Sequence, residues 1–526
     1  MTPFAELLDR LSYLPGRNDK LRLIADYFAT TPDSDRGWAL AALTGTLDFK
    51  AAKPAMIRAL IAARCDPVLF RWSYDYVGDL AETVSLMWPE RPSANRAPEL
   101  GEVVIRLQEA KRTEVPKLVE GWLDSLDANA RWALLKLITG GLRIGVSARL
   151  AKTALAQFGG KDVSEIEELW HGLEAPYEDL FAWLEGKGPI PEIADSLTFR
   201  PLMLATPLEE SELEKLDASA YLAEWKWDGI RVQLVARDGE ARLFSRSGDD
   251  ISRAFPDLLE TIDFDAVLDG ELLVARDGAI APFNDLQQRL NRKTVDAKTQ
   301  AAYPAHLRAY DILFLEGDDL RDMTLEQRRK ILEKLLSEPR SRIDLSELLS
   351  FESLEDLTAL RASARENSIE GLMLKRRDSV YLAGRPKGPW FKWKRDALTL
   401  DTVLMYAQRG HGKRSSFYSD YTFGAWRDGE DGAPELVPVG KAYFGFTDEE
   451  LKQLDKWIRD HTVDRFGPVR AVSPGLVLEV AFDAVQRSKR HKSGLALRFP
   501  RIHRIRWDKP AAEADRVETL AAMMET

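Results

Sequence analysis

From the N-terminus to about Glu185, apolar positions recur at helical spacing, as in LRLIADYFATT, GWALAALTGTL and RWALLKLITG, with breaks at Pro/Gly stretches such as PERPSANRAP. This predicts an all-helical domain over residues 1–190. The segment EGKGPIPEIADSLTFRPLMLATP is Pro-rich and aperiodic, and reads as a linker. Beyond it the period falls to two. Ile230, Val232 and Leu234 alternate with Arg231 and Gln233, Asp238-Gly239 supplies a hairpin turn, and AVLDGELLVA with Asp277-Gly278 begins a second hairpin. Helical spacing returns in FNDLQQRLNR and LEQRRKILEKLL, so residues 200–396 are predicted to form an α+β domain of antiparallel sheets. From about Thr399 short strands dominate (DTVLMYAQRG, YTFGAW, LVPVGKAYFGF, LVLEVAFDAV) around one helix at DEELKQLDKWI. That pattern over residues 397–526 suits a small β-barrel of the oligonucleotide-binding (OB) kind.

Composition adds exclusions. With 526 residues, 45% of them hydrophobic, the chain can fill several cores. No run approaches a membrane span, and charged residues interrupt the first segment, so a cytoplasmic, non-membrane protein is expected. The single cysteine, Cys65, excludes an intrachain disulfide and a multi-thiolate zinc site, and is expected to be a small buried residue. The net charge of −11 argues against a uniformly basic surface. Between Arg487 and Lys509, however, nine Lys or Arg residues stand against one acid, Asp508, interleaved with Leu495, Leu497, Phe499, Ile502 and Ile505. A partly buried segment that holds its cations in place is predicted there.

The sharpest chemical feature is Glu224-Trp-Lys226-Trp-Asp228-Gly229-Ile-Arg231, where one strand ends and another begins. A lysine acts as a nucleophile only as the neutral amine, which an apolar setting or neighbouring cations favour. The flanking tryptophans supply the first, and the Asp-Gly turn sets Lys226 at the mouth of a cleft, with Arg231 within reach of a phosphate or ribose. Lys392 and Lys394 alternate with Trp390, Phe391 and Trp393, so a strand there points both lysines to one face, suited to a phosphate. Glu271 and Glu370 are the acids best suited to hold a divalent cation, Mg²⁺ or Mn²⁺, as hard oxygen ligands.

These residues occur in order with SRSGDD (245–250), LDGELL (268–273), AYDILF (309–314), EGLMLK (370–375), WFKWKR (390–395) and LRFPRIHRIRWDK (497–509). The set resembles the covalent nucleotidyltransferase superfamily of DNA ligases, RNA ligases and capping enzymes. The resemblance implies Lys226 as the residue that carries the nucleotide, with Lys392 and Lys394 on the α-phosphate and Lys375 adding to that cluster. It implies Glu271 on the ribose, Tyr310 stacked on the adenine and Glu224 at the adenine edge. It also implies Arg246 on the 5′-phosphate of a nicked strand. Arg498, Arg504, Arg506 and Lys509 are similar to the family's last motif, where the barrel domain closes over the nucleotide and orients the departing phosphates. A joint near Asp396–Asp401, beside Arg395, would let it reopen.

The helical third narrows the choice. LITGGLRIGVSARLAKTALAQF (137–158) is similar to the DNA-binding domain of ATP-dependent DNA ligases, as are PGRNDKLRLIADYF and YVGDLAETVSLMWP. There Gly140, Gly141 and Gly145 would bring backbone amides near phosphates, Arg143 offers a cation, and Ser147 would cap the next helix. The NAD-dependent relatives use a four-cysteine zinc module that one cysteine cannot build. The resemblance thus implies an ATP-dependent DNA ligase that seals nicked duplex DNA through a lysyl-AMP enzyme, as a monomer encircling the duplex. The alternatives are an RNA ligase, a capping-type guanylyltransferase or a catalytically silent DNA-binding scaffold.

Overall fold

A computed structural model describes residues 1–49, 51–90, 96–192, 197–290, 292, 294–364, 369–410, 418–429, 431–443 and 447–524. Parts of the predicted breaks and linker, 91–95 and 193–196, lie outside the described residues, as does the end of one predicted strand segment, 444–446. The chain forms two compact units, one of Met1–Gly159, Ala175–Phe181 and Ala397–Thr526, the other of Gly160–Glu174 and Ala182–Asp396.

In the first unit the N-terminal part is helical throughout, and its helix ends are set by side chains legible in the sequence. Asp66, Asp79 and Asp127 accept from backbone N–H groups at the starts of Pro67–Val77, Leu80–Met87 and Ala128–Thr139. Gly140 closes the last of these in the left-handed conformation, which a residue without a Cβ adopts at little cost. Ser147 caps Ala148–Gly159 as expected, its Oγ accepting from Leu150 N at 3.2 Å. Leu8, Leu11, Ile24, Phe28, Leu40, Leu135 and Leu155 are buried where these helices meet. Cys65 departs from expectation, being only half-buried because it follows Pro54–Ala62 on a turn rather than within the helix face that packs. No described helix is long and apolar enough to cross a membrane.

The C-terminal part of this unit is antiparallel. Leu398–Arg409 pairs with Tyr418–Asp428 on one side and with Val469–Val472 and Val477–Phe482 on the other, and Ala484–Arg487 pairs with Leu495–Arg498 as a separate hairpin. Leu404, Phe423, Val439, Leu478, Phe482 and Leu497 share one core with Leu454 and Ile458 of the helix Asp448–Asp460. This is the small β fold that the short strands predicted, with a second, short helix, Val517–Ala522, besides the one expected.

The second unit holds two sheets. One runs in the order Thr206–Pro207, Trp390–Lys394, Gly371–Arg376, Tyr221–Lys226, Leu348–Leu349. The other runs Glu240–Ser245, Ile230–Arg237, Ala266–Arg276, Ala305–Leu315, Asp318–Asp319. Ile230–Arg237 alternates as predicted, with Val232 and Leu234 in one apolar cluster. Its polar side is also covered. Gln233 is fully buried and exchanges hydrogen bonds with the backbone of Arg200 at 2.6 and 3.1 Å.

Candidate active site

Period-two geometry decides which motif residues meet. Across Tyr221–Lys226, Gly371–Arg376 and Trp390–Lys394 the register sets Lys226, Gly371 and Lys394 side by side, then Glu224, Met373 and Lys392, then Leu222, Lys375 and Trp390. Paired residues share a face of the sheet. Glu224, Lys226, Lys375, Lys392 and Lys394 therefore all lie on one side, while Ala223, Leu372, Leu374, Phe391 and Trp393 are buried in an apolar cluster on the other. The apolar members of WFKWK anchor the strand, and its lysines are presented by that anchoring.

On the polar face Lys226 Nζ donates to the carboxylate of Glu370, and Lys394 Nζ lies 3.6 Å from the same oxygen. Lys392 is held below the usual lysine range, first by burial and then by the charges of Arg385, Lys226, Lys394 and Arg246. Deeper along the face Lys375 Nζ donates to Glu224 at 3.0 Å, and both side chains are almost wholly buried. The Lys375 ammonium also lies 4.1 Å from the ring centre of Tyr310 and 4.8 Å from that of Trp390.

The second sheet brings its own row. Arg231 pairs with Glu271, and Glu271 with Arg308. Asp269 stands opposite Asp311 but Gly270 opposite Ala309, so Tyr310 is the extra residue of a β-bulge. That bulge directs Tyr310 toward Arg231, whose guanidinium lies 5.9 Å from its ring centre. Arg231 grips Asp269 through two hydrogen bonds, 2.9 and 2.6 Å, and Tyr381 donates to the same carboxylate at 2.7 Å. Burial pushes the Glu271 carboxyl up to about 8; Lys226 and Arg231 pull against this, while Glu370 and Asp269 add to it. The Lys-x-Asp-Gly turn is tight for a steric reason. A Cβ on Gly229 would lie 2.5 Å from Leu272 O and 2.8 Å from Glu271 Cγ, so only glycine lets the turn approach the strand that carries Glu271.

Residues 202–394, which carry both sheets, match the family described as the ATP dependent DNA ligase domain, and residues 414–509 match the ATP dependent DNA ligase C terminal region. A protein from Koribacter versatilis (strain Ellin345) named Probable DNA ligase is 38% identical over 412 residues, spanning 73% of this chain and 70% of its own. The chain belongs to the ATP-dependent DNA ligases. DNA ligase 1 of Korarchaeum cryptofilum (strain OPF8) extends the likeness through the helical part, at 32% identity over 543 residues, 99% of this chain and 97% of that one. The solved structure named Pmar-Lig_PreS3 shares the fold, with a TM-score of 0.60 at 18% identity over 96% of this chain and 99% of that one.

In this ligase the second unit gathers Lys226, Lys392, Lys394, Glu370, Glu271, Arg231, Tyr310, Lys375 and Glu224. Arg246 is exposed on the turn that closes through Gly248 N and Ser245 O, 2.9 Å apart, and its charge reaches Lys392. Arg143, Arg498 and Lys509 belong to the other unit. Lys509 donates to Asp401 at 2.8 Å and Arg506 to the same carboxylate at 3.2 Å, both at the predicted joint. Arg504 donates to Glu479 and Arg501 to Asp483, so the last motif is far less basic than its own stretch of sequence suggests. Leu495, Leu497, Ile502 and Ile505 are buried as expected, whereas Phe499 is 63% exposed because it sits on a turn with φ +51°.

Arg143 also has positive φ, in a loop whose carbonyls at Ile144 and Gly145 accept from Lys20 Nζ at 3.0 and 2.9 Å. Lys20, Asp269 and Tyr381 were not singled out from the sequence. Asp269 lies inside a recognised motif and could have been, whereas nothing around Tyr381 or Lys20 marks them. Among the described residues no group of three or more His, Cys, Asp or Glu side chains could hold a metal ion.

Proposed function

We propose that this ligase seals nicks in duplex DNA, joining a 3′-hydroxyl to a 5′-phosphate, and that Lys226 carries the AMP between the two substrates. The observation that supports this most directly is the row of Lys226, Lys392 and Lys394 on one sheet face, with Glu370 touching the first and beside the last. In the first step the Lys226 amine leaves Glu370 and attacks the α-phosphorus of ATP. A P–N bond forms and pyrophosphate departs, while Lys392 and Lys394 stabilise the charge on the phosphoryl oxygens. In the second step an oxygen of the DNA 5′-phosphate displaces Lys226 from the phosphorus. In the third the 3′-hydroxyl attacks that activated phosphate and AMP leaves.

The remaining groups take roles suited to their surroundings. Tyr310 stacks on the adenine, Glu224 meets its edge, Lys375 holds Glu224 in place through their hydrogen bond, and Arg231, oriented by Asp269, meets the ribose or a phosphate. Arg246 takes the 5′-phosphate of the nick, Arg143 contacts the DNA backbone, and Arg498 with Lys509 orients the departing phosphates. In this division of labour residues 1–190, part of which belongs to the second compact unit, bind DNA, 200–396 carry out adenylation and 397–526 close the site, as a monomer around the duplex.

Glu271 and Glu370 fit a divalent cation, Mg²⁺ or Mn²⁺. Both are hard oxygen donors, and their mutual repulsion, part of what raises the Glu271 carboxyl, is what a cation between them would relieve. Two carboxylates leave coordination positions for water and phosphate oxygens. Such an ion, when bound, screens the phosphate charge from the attacking amine.

The test is to incubate the protein with ATP and Mg²⁺ and weigh it intact. One added adenylyl group is expected on the wild type and none on Lys226→Ala. A gain that survives Lys226→Ala overturns the nucleophile, and a wild type that neither gains mass nor seals nicked DNA overturns the function.

A further inference from the structure

The basic segment from Arg487 to Lys509 divides in two. Its second half is neutralised by acids from elsewhere in the chain, Asp483, Glu479 and Asp401. The first half is not. Arg487, Lys489, Arg490 and Lys492 are exposed and, among the described residues, none of the four forms an ion pair. They ride on the hairpin that joins Ala484–Arg487 to Leu495–Arg498.

This loop is built to hold its shape. Ser488 N donates to Gly494 O at 2.8 Å, and Ser488 Oγ accepts from Arg490 N at 3.2 Å and His491 N at 3.4 Å. His491 Nδ1 lies 2.9 Å from Leu495 O, Ser493 Oγ donates to Pro438 O at 3.0 Å, and Arg427 donates to Lys492 O at 3.0 Å. Leu495 and Leu497 root the hairpin in the barrel core. Four like charges on a short loop repel one another, and a loop braced against that repulsion is pre-organised for an anion. The cations are spread over an exposed tip with no concave centre, which suits a row of phosphates better than a single small anion. In a chain of net charge −11 such a local patch is what overcomes the general repulsion of a polyanion.

We propose that the 487–494 hairpin is a second, sequence-independent docking site for the duplex backbone, separate from the groups assigned to the nick itself. It rests on the reading of the protein as a DNA ligase.

The test compares wild type with the combined variant Arg487→Ala, Lys489→Ala, Arg490→Ala, Lys492→Ala, which leaves Ser488, His491 and Ser493 in place. The affinity of the full-length protein for a nicked duplex is measured against salt concentration. The slope of log affinity against log salt is expected to fall by about 2 to 4, and affinity at moderate salt by about tenfold or more. Self-adenylation with ATP alone stays at the wild-type rate. The charge-conserving variant Arg487→Lys, Lys489→Arg, Arg490→Lys, Lys492→Arg keeps the wild-type slope, which separates charge from folding. An alanine variant with unchanged slope and affinity overturns the site. Because binding is read without sealing, a wild type that binds duplex but does not join it refutes the ligase reading and leaves the hairpin's result standing.

Discussion

Lys226 and Glu370 are joined twice: the backbone N–H of Glu370 donates to Lys226 O at 2.9 Å, and the Lys226 amine donates back to the Glu370 carboxylate. The backbone bond survives substitution of the side chain, so Glu370→Gln removes charge without removing the strand contact. Self-adenylation is expected to slow by on the order of 10²–10³-fold, as when one group that stabilises transition-state charge is lost. The rate of mass gain with ATP and Mg²⁺ measures it, and thermal melting close to wild type shows that folding is intact.

Lys392 and Lys394 share a face but not an environment. Lys392 is half-buried among four other cations, whereas the Lys394 side chain is 43% exposed. A charge in the drier position interacts more strongly with a phosphate. Lys392→Met should therefore slow adenylation at least about tenfold more than Lys394→Met. Equal losses would show that burial does not rank the two.

The Glu271 carboxyl, raised to about 8, would make binding of the proposed cation pH-dependent. Below pH 8 the group is mostly protonated, and a bound cation must displace that proton. Affinity for Mn²⁺ should rise by up to about tenfold per pH unit toward 8 and then level off. Proton release runs the other way, near one proton per cation well below pH 8 and falling toward none above it, and can be read by calorimetry in buffers of different ionisation enthalpy. Glu271→Gln should abolish the dependence, and a flat wild-type profile from pH 6 to 9 would contradict it.

Gly229→Ala places a methyl group 2.5 Å from a backbone oxygen that has no room to yield. Overpacking of this kind costs about 1–3 kcal/mol, read as a lower melting temperature. Adenylation should fall as well, because the displaced turn is the one that follows Lys226.

Asp311 and Arg328 form an ion pair with neither side chain exposed, Arg328 also donating to the carbonyls of Met323 and Ser379. Asp311→Ala strands the guanidinium and should destabilise the unit by about 3–5 kcal/mol, measured by denaturant unfolding. Asp311 follows the bulged Tyr310, so weaker ATP binding should accompany the loss.

The faces of the strands were legible because side-chain direction in a strand is a local property: Phe391 and Trp393 announced a buried side, and Lys392 and Lys394 followed on the opposite one, which Trp390 shares. Tyr310 was legible as a motif residue but not as a bulge, since the extra residue is defined only by its pairing with Asp269 and Gly270. Tyr381 could not be read at all, because its link to Asp269 joins positions 112 residues apart.

The order of motifs and the apolar periodicity thus indicated the chemistry and the kinds of domain from sequence alone, both being carried by residues near one another along the chain. Only the tertiary structure decided that Lys226 meets Glu370 across 144 residues, that Lys375 locks Glu224, and that the acids at 401, 479 and 483 neutralise one half of the C-terminal basic segment and leave the other half exposed. Periodicity sets which way a side chain points, whereas its partner is set by strand register and by the long-range packing that brings distant charges together.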